Sequence, residues 1–463
     1  MKKLLVVSCA ALGAAEARRA GLDKLGRVTE VEPVFPALTV PAQAALLTGL
    51  PPAATGAVGN GFLDRELRRV FFWEQSAALV SGERVWERLE REAGSVVRAA
   101  LLFFQNSVGS SAEMVVTPAP LHGPDGKTLP ACYALPAGLG EMLESRLGPF
   151  PLHHYWGPKA GLPASQWIAA AAETALLVSP ADFGRRPGAP VEAAGYFGLP
   201  VGVTGISGLQ RGGAPDLVFA YLPHLDYDFQ RFGPDSPEAG KALGELYTLL
   251  RELSSRAEAA GYELVIVGDY AIEPATSVLF PNRALREAGL LSVRRVGPFE
   301  LPDFGASAAF AVVDHQVAHV YLLQGPEDAD QVGEALSSLP GVGRCMDPAM
   351  MHELGHGHRR SGDFILEAAP GAWFAYDWWT DEEHAPPYAR TVDIHNKPGY
   401  DPLELFFAPD KRGTARDASL VKGTHGRAGG GAAALVLPDG AEAPAGRLKA
   451  VAVAEVLARL AAG

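Results

Sequence analysis

Cysteine is scarce in this 463-residue chain: Cys9, Cys132 and Cys345 are all it has. An odd, widely scattered set builds no disulfide framework and none has Cys-x-x-Cys metal spacing, so a reducing compartment is the simpler expectation. A basic excess is also missing. Forty Lys and Arg stand against fifty-three Asp and Glu, for a net charge of −13. That balance argues against a nucleic-acid surface or an anionic-membrane surface, so an anionic substrate must be met locally. No apolar run reaches the roughly twenty residues that span a bilayer. No internal repeat is present. The opening "MKKLLVVSCAALGAAEA" imitates a secretory signal, yet the same run fits a buried first strand, Leu4 to Ser8, of a parallel sheet. The strand, and with it a cytoplasmic protein, is the expectation; a secreted or periplasmic one follows if residues 1–17 act as a signal.

What the chain does have is apolar content, 48% of its residues, enough for a large core in one elaborate domain. "DLVFAYL", Asp216 to Leu222, reads as a buried strand that breaks at Pro223. Leu246, Leu249, Leu250 and Leu253 then mark one face of a helix that Gly261 ends. "ELVIVGDY" follows as a second buried strand. Strand, helix, strand is the unit of a parallel sheet, and it places Asp226 and Asp269 just past strand C-termini, where open α/β sheets hold ligands. Val453, Val456, Leu457 and Leu460 form a last amphipathic helix. Two strand-like runs, "AAFAVVDHQVAHVYLL" and "GDFILEAAPGAWFAYDWW", fall in between and suggest an insertion or cap over residues 275–420. The Gly- and Ala-rich "RAGGGAAALVLPDGAEAPAG" reads as loop around a short strand.

"FPALTVPAQAALLTGLPP", from Phe35, sets Thr39 between Pro36 and Pro41. Proline restricts itself and its predecessor, and Pro41 suits the first turn of a helix. Thr39 is therefore either a helix cap or a hydroxyl held where backbone N–H groups favour an anion.

His and Asp concentrate in "HLDYD" (His224, Asp226, Asp228), "GDY" (Asp269), "DHQVAH" (Asp314, His315, His319), "VDIHNKPGYD" (Asp393, His395, Asp401) and "GTHGR" (His425). Mixed carboxylate and imidazole ligands suit zinc, or manganese in a more oxygen-rich site. Taken singly, Asp226 is equally readable as a turn residue, Asp269 as a cap and His319 as a core histidine. A competing motif, "HELGHGHRR", contains His352-Glu353-x-x-His356, the helical zinc-protease signature. Gly355 and Gly357 flank His356, so the helix would end on its own ligand.

Together these residues identify a family. "FPALTVPAQAALLTGLPPAATGAVGNGF" resembles the nucleophile region of the alkaline phosphatase superfamily in its nucleotide pyrophosphatase/phosphodiesterase branch. "YLPHLDYDFQRFGP", "VIVGDYAI" and "KGTHGRAGG" resemble that branch's later metal-ligand segments, in the same order along the whole chain. The resemblance implies a single α/β domain over 1–463, a three-layer sandwich with a mostly parallel sheet, helices on both faces and an inserted cap. It also implies phosphoryl transfer at two divalent cations, zinc or alternatively manganese, with a small-molecule phosphate ester, phosphodiester or nucleotide pyrophosphate as substrate. Thr39 would attack phosphorus and form a phosphothreonine; Asp226, Asp269 and His425 would hold metal.

The sequence departs from that pattern at several ligand positions. Ser8 and Cys9 stand where a first-strand Asp is expected, Gln230 and Tyr270 where two His are, Ala42 where an Asn is and Thr55 where a His is. The expectation is that neighbours refill the site, with His224, Asp228, His315 and His395 the candidates; buried polar groups without partners are costly. A binding or scaffold protein with a degenerate site is the alternative, and the zinc protease a third.

Overall fold

A computed structural model describes residues 1–122, 128–183, 213–442 and 446–463; positions 443–445 of the Gly- and Ala-rich stretch fall outside. In chain order the strands of the two larger sheets are β1 (Lys3–Cys9), β2 (Arg27–Glu32), β3 (Ala99–Leu102), β4 (Met114–Pro118), β5 (Cys132–Leu135), β6 (Leu217–Leu222) and β7 (Tyr262–Gly268). Then come β8 (Ala309–Asp314), β9 (Val317–Leu322), β10 (Val342–Met346), β11 (Phe364–Ala368), β12 (Ala433–Leu437) and β13 (Leu448–Lys449). Nine of them form one sheet among the described residues, in the order β13-β2-β12-β7-β1-β6-β3-β4-β5. β1 runs parallel to both β6 and β7; only β12 and β5 oppose the common direction.

Leu4, Leu5, Val6 and Val7 are all fully buried. Since successive strand residues point to opposite faces, both sides of this sheet are covered. The cover is helical. α1 (Thr39–Thr48), α2 (Leu162–Ala175), α3 (His224–Phe232), α4 (Pro237–Ala260) and α5 (Ala450–Ala462) are the helices that matter below. The expected leucine face lies in α4, where Leu246, Leu250 and Leu253 are buried and Gly261 caps the end at φ 81°. The last amphipathic helix is α5.

Residues 309–368 build a separate four-stranded sheet, β8-β9-β11-β10, beside a second apolar core that includes Leu285, Phe310, Tyr321, Phe374, Trp378 and Trp379. "AAFAVVDHQVAHVYLL" is an antiparallel hairpin rather than one strand: Asp314 pairs with Val317, and His315 and Gln316 make a two-residue turn. His315 takes φ 55°, a left-handed conformation that glycine normally supplies.

Candidate active site

β1, β6 and β7 end side by side, Cys9 pairing with Leu222 on one flank and Gly268 on the other. Parallel strands thus deliver three chain segments to one edge. Asp269 follows β7 directly, and its Oδ1 accepts from the backbone N–H of Ala11 at 2.9 Å and of Tyr270 at 2.9 Å. Gly268 permits this closeness: a Cβ there would stand 1.9 Å from the Leu12 carbonyl oxygen. At the end of β1 itself, Ser8 and Cys9 are buried, and burial pushes the Cys9 thiol pKa far up. A buried thiol of that kind is inert.

Thr39 is the first residue of α1, with Leu38 as the cap residue and no side-chain capping bond. The cap reading therefore fails. Its buried Oγ1 instead lies 3.3 Å from the Tyr270 hydroxyl. Asn60 fixes the loop, accepting from Val40 N–H at 3.0 Å through Oδ1 and donating through Nδ2 to Asp314 Oδ1 at 3.2 Å. The Asn60 N–H also donates to Asp314 Oδ2 at 2.9 Å. Through Asn60, Asp314 at the end of β8 thus holds the start of α1 in place.

Asp226 lies in the first turn of α3, just past β6. Its Oδ1 accepts from the Tyr270 hydroxyl at 3.3 Å and faces His425 Nε2 at 3.7 Å. Its Oδ2 accepts from Gln230 Nε2 at 2.6 Å, one helical turn on, and Gln230 Oε1 accepts from Tyr400 at 2.8 Å. Burial raises the Asp226 pKa from its ordinary 3.8 to about 7, against the hydrogen bonds from Gln230 and Tyr270. Asp269 is raised well above the usual range, by burial first and by the Asp226 charge second.

His425 arrives on a loop tied to the segment before Thr39: Ala37 N–H donates to Gly426 O at 2.9 Å, and His425 Nδ1 donates to Ala37 O at 2.8 Å. That bond sets the tautomer and leaves the Nε2 lone pair free. The His425 ring stacks on Tyr270 at 3.6 Å and 6°, and on its other side meets His315 at 3.9 Å. His315 Nδ1 bonds Asp314 Oδ1 at 2.8 Å. Both Nε2 atoms are buried without a partner, and burial holds both imidazoles neutral, their pKa values well below 6.5.

Of the residues expected from sequence, the structure brings Thr39, Asp226, His315 and His425 together with Tyr270, and Asp269 beside them. Others lie apart. His224 turns to Ser165, its Nδ1 2.8 Å from Oγ; burial lowers its pKa to about 4. Asp228 pairs with Arg231 at 3.2 Å. His395, by contrast, lines the same pocket as Thr39, Tyr270 and His315, its Nδ1 donating to Phe72 O at 3.1 Å. Asp401 joins a buried ion-pair network with Lys397 at 2.8 Å, and Lys397 meets Glu404 at 2.6 Å. The zinc-protease motif comes apart: its helix spans Pro348–Glu353, three residues short of His356, whose ring packs on Phe35 at 4.5 Å, while His352 is exposed.

Sequence reasoning missed Asn60, Tyr400 and an aromatic chamber over Thr39. The chamber, of about 130 Å³, is walled by Trp73, Leu152, Tyr155, Trp156, Tyr227 and Tyr400. Trp73 adopts φ 58°, strain of a kind that clusters at functional sites. No Lys or Arg lines the chamber among the described residues.

A closed two-cation centre wants about three protein ligands per ion. Here one Asp226 oxygen is taken by the Gln230 amide, a tyrosine hydroxyl bridges Thr39 and Asp226, and the strand position expected to bring a carboxylate brings serine and cysteine. Among the described residues no three His, Cys, Asp or Glu gather in metal-holding geometry. The donor set does not fit two divalent ions.

Strand ends, a helix-borne hydroxyl and this ligand-like cluster define the class: an alkaline-phosphatase-like α/β fold of phosphoester hydrolases. The model of one family in that class, type I phosphodiesterase/nucleotide pyrophosphatase, matches residues 21–401, and the chain belongs to that family. Phosphonoacetate hydrolase from Sinorhizobium meliloti 1021, solved with phosphonoformate, superposes with TM-score 0.60 at 16% identity, over 100% of this chain and 96% of that one. Human ectonucleotide pyrophosphatase/phosphodiesterase 5 gives 0.56 at 15%, over 100% and 95%. The inactive murine form of that protein, in complex with AMP, gives 0.58 at 14%, over 100% and 95%. Among curated proteins no sequence matches the chain. The expected three-layer fold is thereby confirmed.

Proposed function

We propose that this protein hydrolyses a phosphate ester or phosphodiester with Thr39 as nucleophile, acting as one catalytic unit whose cap, residues 275–420, closes over the site. One observation carries the reading: a buried threonine hydroxyl, at a helix N-terminus and not spent on capping, hydrogen-bonds a tyrosine that in turn bonds a carboxylate. Thr39 Oγ1 would attack phosphorus while its proton leaves along Tyr270 toward Asp226, which is set to accept near neutrality. The leaving alcohol would lie in the aromatic chamber. His315 and His425 present Nε2 lone pairs able to orient the water that releases the phosphothreonine. A chamber without cationic side chains suits a singly charged diester with an apolar or aromatic alcohol better than a pyrophosphate. The zinc or manganese chemistry implied by the resemblance has only part of its donor set here, so no step is routed through it.

The test is turnover of bis-p-nitrophenyl phosphate, in chelator and with added zinc or manganese. Thr39→Ala is expected to remove turnover with little change in stability; unchanged activity in Thr39→Ala would falsify the mechanism. The Gln230–Asp226–Tyr270 bonds that fill the ligand positions favour a second reading, a phosphate-ester-binding protein without turnover. It is distinguished by wild-type protein that binds a phosphonate diester yet releases no nitrophenol under any metal condition.

A further inference from the structure

Behind Tyr270 lies a second, larger cavity, about 630 Å³, that the hydrolytic reading does not use. Tyr270 and Ala37 form part of its wall, so the ring that faces Thr39 and Asp226 on one side separates two chambers of opposite character. The first is aromatic and free of Lys and Arg. The second is lined by Arg344, Arg427, Arg447 and Lys449, with His356 between them and Glu32 as a carboxylate on the wall.

These cations come from three separate places: Arg344 from β10 in the cap sheet, Arg427 from the loop after His425, and Arg447 and Lys449 from around β13. Two are already engaged, Arg344 with Glu367 at 2.6 Å and Arg427 with Glu273 at 2.7 Å. Arg447 and Lys449 are exposed and have no ion-pair partner among the described residues. Gly429, Gly430 and Gly431 line the same wall. Gly429 and Gly431 take φ 76° and 123°, so the loop curves with bare backbone toward the cavity, an arrangement that suits oxyanions. In a chain of net charge −13 a concentration of cations around one concave space is against the general trend, and the space is of small-ligand size.

We propose that this cavity binds a small polyanion carrying two linked phosphate or phosphonate groups, held by Arg447, Lys449, Arg344 and the Gly429–Gly431 backbone. Two such groups match cations contributed from both the core and the cap; a single phosphate would meet only part of the set. The site is distinct from the Thr39 chamber and stands whether or not Thr39 is a nucleophile.

Isothermal titration of the full chain with methylenediphosphonate, which resists hydrolysis, tests it. Saturable binding at low salt is expected, weakening as salt rises, with inorganic phosphate at least about ten-fold weaker. The double variant Arg447→Ala/Lys449→Ala, both at exposed positions, is expected to lose at least about ten-fold in affinity, since it removes charge-assisted hydrogen bonds to the anion. Thr39→Ala is expected to bind as the wild type does. Absence of binding at low salt, or binding that survives the double variant but is lost in Thr39→Ala, overturns the proposal; the second result would place the anion in the hydrolytic chamber instead.

Discussion

Tyr270 decides the character of the site at the scale of single residues. Its ring stacks on His425 and its hydroxyl lies 3.3 Å from both Thr39 Oγ1 and Asp226 Oδ1. Tyr270→Phe keeps the stack and removes the hydroxyl. Turnover is expected to fall by on the order of 10²-fold with KM nearly unchanged, the usual size of a lost proton-transfer group; steady-state kinetics check it. Asp226 supplies a pH signature. Its folded pKa of about 7 lies above the ordinary 3.8, so the folded state holds that proton more tightly than the unfolded chain. The resulting stability is complete below the lower value and is lost as pH rises through the higher one. Denaturation midpoints are expected to fall between about pH 4 and pH 7, and Asp226→Asn to flatten that fall. The sequence announced Thr39, Asp226, Asp269 and His425 through local motifs. Asn60, Tyr400 and Trp73 lie in stretches that could be read as motif, but their roles could not, because each acts through a contact between segments distant in the chain.

Two devices hold the elements so that those residues meet. The first is the glycine at the end of β7. Any Cβ at Gly268 would strike the Leu12 carbonyl and push Asp269 off the Ala11 amide. Gly268→Ala is expected to destabilise by about 1–3 kcal/mol, as overpacking does, and chemical denaturation measures it. The second is the buried ion-pair network around Lys397. Lys397 is buried between Asp401 and Glu404, and the Trp156 indole N–H donates to Glu404. Lys397→Met leaves buried Glu404 without a cation and Asp401 with only the 3.6 Å contact to Arg416, and is expected to cost about 3–5 kcal/mol. "VDIHNKPGYD" looked like site chemistry because polar residues crowd there; most of that polarity is structural. Strand and helix identities were readable from period and punctuation in β6, α4 and β7. The hairpin of β8 and β9 was not, because its turn, His315-Gln316, contains neither glycine nor proline.

For the molecule as a whole, α1, α3 and the end of β7 supply Thr39, Asp226 and Asp269, and the β8–β9 hairpin supplies His315 and the carboxylate that fixes Asn60. Sequence order alone indicated the sandwich. It could not show whether neighbouring groups refill the metal positions, which depends on where side chains converge. They converge as hydrogen bonds among Gln230, Tyr270 and Asp226. Chelator is therefore expected to leave the unfolding midpoint unchanged, while Gln230→His/Tyr270→His gains a stabilising shift with zinc, read by thermal denaturation. The most direct measurement for the whole scheme is peptide mass spectrometry of protein quenched in acid during turnover of bis-p-nitrophenyl phosphate. A phosphoryl adduct on the peptide containing Thr39, absent from Thr39→Ala, is the expected result; steady turnover with that peptide never modified in a rapid-quench series would contradict it.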